Sequence, residues 1–237
     1  MGLKSARFFK EEEKKMIEST IAEVESKTSG EIVAMVVDRS DEYRDIDVLG
    51  SVLTAAALAI YPAGLFYTLS ERILHRIMPS VSWSAGVPEL PHFYFGLCCF
   101  IIFAIIFYFP LMWLIRRVPV IKRFFLNDRR KEREIRERAL RAFQEHRLDR
   151  TRDATGVLFL ISLLERKVYV LADHGIYNKI SQTALDGFAS AVAEGVHDGK
   201  AGEALCSAIR AIGIDLAQHF PRKDDDSNEL SDKVVTG

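Results

Sequence analysis

Residues 48–70 and 93–115 contain no charged side chain, and soluble cores rarely sustain two such runs, which leaves two spans, or a re-entrant first segment, as the readings. The runs are VLGSVLTAAALAIYPAGLFYTLS and FYFGLCCFIIFAIIFYFPLMWLI. Each supplies the roughly 20 apolar residues that a helix needs to cross a bilayer. Tyr61, Tyr67, Phe93, Tyr94, Tyr108 and Trp113 include several near the ends of the runs, where amphipathic rings sit at headgroup level. Pro62, Gly64 and Pro110 are tolerated in lipid as local kinks. Transport paths place ionisable groups inside their spans, so two uncharged spans read as anchors.

Orientation follows from the Lys and Arg beside the spans. The segment RRVPVIKRFFLNDRRKER holds eight of them between Arg116 and Arg133, whereas loop 71–92 holds only Arg72 and Arg76. Both termini are therefore expected in the cytoplasm, in a bacterial inner membrane crossed twice. Arg116, Arg117, Lys122 and Arg123 leave the second span together and suit anionic headgroups, at about 1 kcal/mol per charge. The position of this run beside a span assigns it to the lipid bilayer, and no nucleic-acid partner is expected. Net charge over the 237 residues is −1, which points to no polyanionic partner either. Cys98, Cys99 and Cys206 show neither metal spacing nor a disulfide framework.

The remaining segments alternate helical and strand patterns. Residues 11–28 place Ile17, Ile21 and Val24 on one helical face, with Glu11, Glu12 and Glu13 at the positive N-terminal end and Gly30 as a stop. EIVAMVVD (31–38) is apolar on both faces, the pattern of a strand covered on both sides. Its neighbours appear only after the second span. Asn127 or Asp128 caps a helix reaching His146, with Ile135, Ala139, Ala142 and Phe143 as its stripe. GVLFLISL (156–163) and KVYVLAD (167–173) read as two strands joined by a tight turn, and helices over about 182–197 and 201–219 follow. The polar stretch from Pro221 is expected to be disordered or loosely docked.

The order α-β, membrane hairpin, α-β-β-α-α predicts an α/β fold with one mixed central sheet flanked by helices. The expected organisation is a discontinuous α/β domain over 8–47 and 127–220, interrupted by the hairpin 48–115. A basic interfacial segment (116–126) and a polar tail (221–237) complete it.

Several phrases along this order resemble the TPM domain family, named after a thylakoid-lumen protein, a photosystem II repair protein and a modulator of acetylcholine receptors. They are SGEIVAMVV after the opening helix, TGVLFLISLLERKVYVLAD, HGIYNKI, and the run through both C-terminal helices to HFPRKDDDSNEL. The resemblance covers most of residues 8–232 outside the hairpin. More narrowly, the chain resembles bacterial members in which a two-span hairpin follows SDEYR. It implies a role in maintaining or modulating membrane complexes. One plant member carries acid phosphatase activity and some bacterial members bind calcium. Many bacterial relatives hold the domain outside the cytoplasm, whereas the basic run here argues for the inside.

Chemistry, if present, is expected where the two hairpin strands end together, 153–156 beside 173–175. Asp153, Asp173 and His174 form a carboxylate–imidazole group suited to acid/base work on a phosphate. Asp153 and Asp173 are also the candidate metal ligands. Arg150 and Arg152 are the candidate phosphate contacts. The bland alternative is a solvated turn with surface ion pairs. In calcium-binding relatives acids also follow the glycine of the third strand. Here that neighbourhood is GIYNKI, so the family's calcium pattern is incomplete and no cofactor is expected. Asp38, Asp41, Glu42 and Asp45 read as a solvated linker, and no phosphatase loop, P-loop or GxGxxG is present. The expected function is a membrane-anchored, non-enzymatic accessory module for an unidentified membrane protein complex. The alternative is a phosphatase or phosphoesterase, with or without a divalent cation, using Asp153, Asp173 and His174.

Overall fold

The computed structural model describes residues 5–77, 90–118, 126–223 and 229–237. It forms two compact units: Met1–Glu42 together with Asn127–Gly237, and Tyr43–Leu126.

The first unit is built on a mixed four-stranded sheet in the order β3-β2-β1-β4. Strand β1 (Glu31–Val37) lies parallel to β2 (Gly156–Ser162), with Glu31 opposite Gly156 and Val37 opposite Ser162. Strand β3 (Lys167–Ala172) returns antiparallel to β2 through the turn at Leu164, Glu165 and Arg166. Every residue of β1 and β2 is buried, which explains their unbroken apolar sequence.

Side chains alternate between two cores, as the period of a strand demands. Ile32, Ala34 and Val36 of β1, with Val157, Phe159 and Ile161 of β2, meet three helices. These are α1 (Glu11–Glu25), α6 (Gln182–His197) and α7 (Ala201–His219), which contribute Ile17, Ile21, Leu185, Val192, Leu205, Ile209 and Ile212. Val33, Met35, Val37, Leu158 and Leu160 point the other way. There they meet Ile135, Ala139, Ala142 and Phe143 of α4 (Asp128–Glu145). Asn127 caps α4, its side chain accepting from Arg129 N at 3.4 Å. Each fully buried Ile or Leu contributes about 1.5–3 kcal/mol by leaving water.

One face thus carries three helices and the other carries one. Buried polar groups stitch the loops. Glu165 accepts from Ser40 N at 3.0 Å and from the Ser162 hydroxyl, and Thr155 Oγ1 donates to Ser29 O at 2.7 Å.

Two expectations need correcting. Residues 229–237 are neither disordered nor loose. Val235–Thr236 forms β4, parallel to β1, while Gly237 N donates to Val36 O at 3.0 Å and Asp38 N to Gly237 O at 3.2 Å. Leu230 and Val235 pack on the α4-side core, apolar burial that a reading of the tail's polarity overlooks. Gly30 does not stop α1, which ends at Glu25 with Ser26 as its cap. A Cβ at Gly30 would lie 2.9 Å from Leu216 Cδ1, so the glycine serves close packing against α7.

The second unit is a helical hairpin, α2 (Arg44–Ile77) and α3 (Leu90–Arg117), both long and apolar enough to cross a membrane. Pro62 and Pro110 lie inside continuous helices. Along α2 the buried positions Ser51, Ala55, Ala59 and Ala63 recur every fourth residue, leaving the larger side chains outside. Leu53, Ile60, Ile106 and Phe109 are all more than half exposed (58%, 66%, 55% and 65%), so these helices are not buried as core helices are. Buried Asp47 near the start of α2 lies 3.9 Å from Arg116 near the end of α3, so the two helices run antiparallel. Arg117 stacks over the Trp113 ring at 4.6 Å, an aromatic–cation pair suited to an interface. Lys122 and Arg123 lie outside the described residues.

Candidate functional site

The antiparallel pairing of β2 and β3 brings their outer ends together. Asp173 N donates to Gly156 O at 2.9 Å, closing the ladder where β3 ends. Asp173 then caps the short helix α5 (His174–Tyr177): its Oδ1 accepts from His174 N at 2.6 Å and lies 2.9 Å from the imidazole Nδ1. Its second oxygen, Oδ2, is buried without a hydrogen-bond partner. The His174 side chain is 82% exposed, so its other ring nitrogen faces solvent.

Opposite lies the turn before β2. A Cβ on Gly175 would sit 2.6 Å from Ala154 O and 3.0 Å from Asp153 O, so only glycine lets α5 press against this turn. Ala154 adopts a positive φ of 54°, a local bend within the same turn. Asp153, Asp173 and His174 are therefore neighbours in the fold, with Asp173 and His174 in direct contact.

Three of the four carboxylate oxygens are already committed. Lys223 Nζ holds Asp153 through both carboxylate oxygens, at 2.8 and 2.7 Å. Arg150 ends the 3-10 turn Leu148–Arg150 and is exposed. The backbone N of Arg152, likewise exposed, donates to Glu229 Oε2 at 3.2 Å. Neither arginine reaches Asp173 or His174 through any described bond.

Calcium takes six to eight oxygen ligands. Here one buried orphan oxygen of Asp173 neighbours a carboxylate neutralised by an ammonium. Among the described residues no group of three or more His, Cys, Asp or Glu could hold a metal ion. Among the described residues this turn therefore offers calcium a single uncommitted carboxylate oxygen. The geometry that remains is an imidazole oriented by a carboxylate at a solvent-facing helix start.

Sequence reasoning missed a cavity of about 360 Å³ whose rim includes His174. It is lined by residues of α4, β3, α5 and α6, elements that no local pattern places together. The one available signal was Tyr169 alternating with Leu171 on the α4 face of β3.

The family model described as the TPM domain matches residues 117–214. No curated protein matches the chain. Among solved structures, the chain is similar to the NMR structure of the BA42 protein from the psychrophilic bacterium Bizionia argentinensis. The TM-score is 0.54 and the identity 18%, over 97% of this chain and 96% of that one. At that identity the likeness is one of fold.

Proposed function

We propose a membrane-anchored accessory protein of the TPM domain family, a reading supported by the match of residues 117–214 to that family's model. Its α/β unit would maintain or modulate a membrane protein complex. The observation that supports this reading is the commitment of Asp153, through both oxygens, and of Asp173, through one, to structural bonds. Asp153 is bound by Lys223, and Asp173 by the first turn of α5. What is left exposed is apolar surface on α2 and α3, suited to lipid or to partner helices. The spans cross a bacterial inner membrane with both termini inside, since Arg116 and Arg117 end α3 and the basic run continues from there. Site-specific photocrosslinking in native membranes tests this, with probes on the exposed α2 positions Leu53 and Ile60. A single discrete protein adduct supports an accessory role. Lipid adducts alone from every position overturn it.

One observation favours a second reading. Asp173 orients an exposed imidazole in the manner of a general base, so phosphoester hydrolysis through His174 is the alternative. Turnover of a phosphomonoester that His174→Ala abolishes would establish it.

A further inference from the structure

The face of the sheet that carries only α4 is incompletely covered at its β3 edge. The cavity there has Phe143 and Leu171 as its floor, with Leu140, Tyr169, Tyr177 and Arg136 around them. His174 and Gln182 stand on the rim. Leu140 is 47% exposed and Tyr177 37%, large apolar groups left uncovered beside a concave surface. At about 30 Å³ per water, the space equals roughly a dozen waters, enough for a ligand of about ten non-hydrogen atoms.

The lining combines an apolar body with a few polar groups, of which Arg136 carries the positive charge. No ion pair joins Arg136 to another described residue. The nearby carboxylates are engaged elsewhere: Glu132 lies 3.9 Å from Lys167 Nζ, and Asp186 accepts from Gln182 Nε2 at 2.8 Å. Burial lifts the Tyr169 phenol above its ordinary range, which keeps it protonated and able to donate.

We propose that this cavity binds a small amphiphilic monoanion: an aromatic or short aliphatic body seated on Phe143 and Leu171, with a carboxylate on the Arg136 guanidinium. Arginine suits that partner because its planar fork pairs both carboxylate oxygens. The site does not depend on the accessory reading, nor on hydrolysis by His174.

The test uses the full chain in lipid nanodiscs, with empty nanodiscs as blank. Binding of 3-(4-fluorophenyl)propionate and of its neutral amide is followed by fluorine NMR. The acid should bind saturably and at least about tenfold more tightly than the amide. Arg136→Gln should bring the acid to the level of the amide, and Leu140→Trp, which fills the cavity, should abolish saturable binding of both. No saturable binding to the wild type overturns the proposal. So does equal affinity for acid and amide, or unchanged binding in Arg136→Gln. The acid–amide comparison is made on the unaltered protein and does not depend on how either variant folds.

Discussion

Lys223 grips Asp153 from a position 70 residues further along the chain, its Nζ 2.8 and 2.7 Å from the two carboxylate oxygens. The ammonium is half exposed, so the pair contributes only about 0–1 kcal/mol to stability. Its larger effect is to neutralise a carboxylate otherwise placed to work beside His174. Lys223→Met should therefore leave the denaturation midpoint nearly unchanged. On the accessory reading, phosphomonoester turnover stays at background in this variant. A rise in turnover would show the ion pair to be masking a catalytic acid.

Gly175 meets the carbonyls of Asp153 and Ala154 at distances no Cβ can share. Gly175→Ala should destabilise the α/β unit by about 1–3 kcal/mol, the usual cost of overpacking, measurable by chemical denaturation. His174 should lose its fixed orientation in the same variant, visible as a shift of its ring resonances.

Glu25 carries a large pH effect within the α/β unit. Burial pushes its carboxyl up to about 8 from the ordinary 4.5, and the negative charges of Glu31 and Asp232 add to this. The Ile32 amide, donating to Oε1 at 2.8 Å, offsets part of it. The folded chain thus keeps a proton that the unfolded chain loses above about 4.5. Stability from this group is complete below that pH, falls as pH rises to about 8, and is flat beyond. The total is on the order of a few kcal/mol. Glu25→Gln keeps the acceptor for Ile32 and should flatten that slope, leaving the variant more stable than wild type at pH 8.5. Denaturation series at pH 5, 7 and 8.5 decide it; parallel slopes for both proteins would contradict the assignment.

The C-terminal strap should also report on stability. Removing residues 229–237 uncovers Met35 and Val37 and deletes the bond from Asp38 N to Gly237 O. We expect a loss of about 1–3 kcal/mol and faster hydrogen exchange at the Asp38 amide, with α7 unaffected.

Orientation is checked by reporter fusions at Gly237 and within residues 71–92. The expected result is inside for the first and outside for the second. The reverse pair would overturn the reading of the basic run from Arg116 to Arg133.

Much of the fold was legible because it rests on strong local patterns. Six consecutive apolar positions after Glu31 in β1 require cover on both faces, and β1 has it. Asn127 announces α4, and the Leu164–Arg166 turn announces the β2–β3 pair. What escaped has weaker local signals. β4 is two residues long and draws its stability from β1 rather than from its own sequence. Helix α5 is a single turn, and the Asp173 that caps it reads equally well as a strand end. At the candidate site, the proximity of Asp153, Asp173 and His174 follows from hairpin geometry. The partner that occupies Asp153 comes from a distant segment with no pattern to announce it. The cavity needs four elements at once, and its Arg136 looks like one more exposed charge on α4.

The parallel register of Glu31 with Gly156 also sets an order of events during synthesis. Translation runs at roughly 5–20 residues per second, so β1 leaves the ribosome on the order of ten seconds before β2 exists. In that interval α2 and α3 emerge and a strand with six consecutive apolar residues has no sheet to join. The nascent head is thus an aggregation-prone intermediate whose lifetime is set by how soon β2 is made. A pause in synthesis between residues 38 and 156 would first be felt as misfolding of the head, a segment already made.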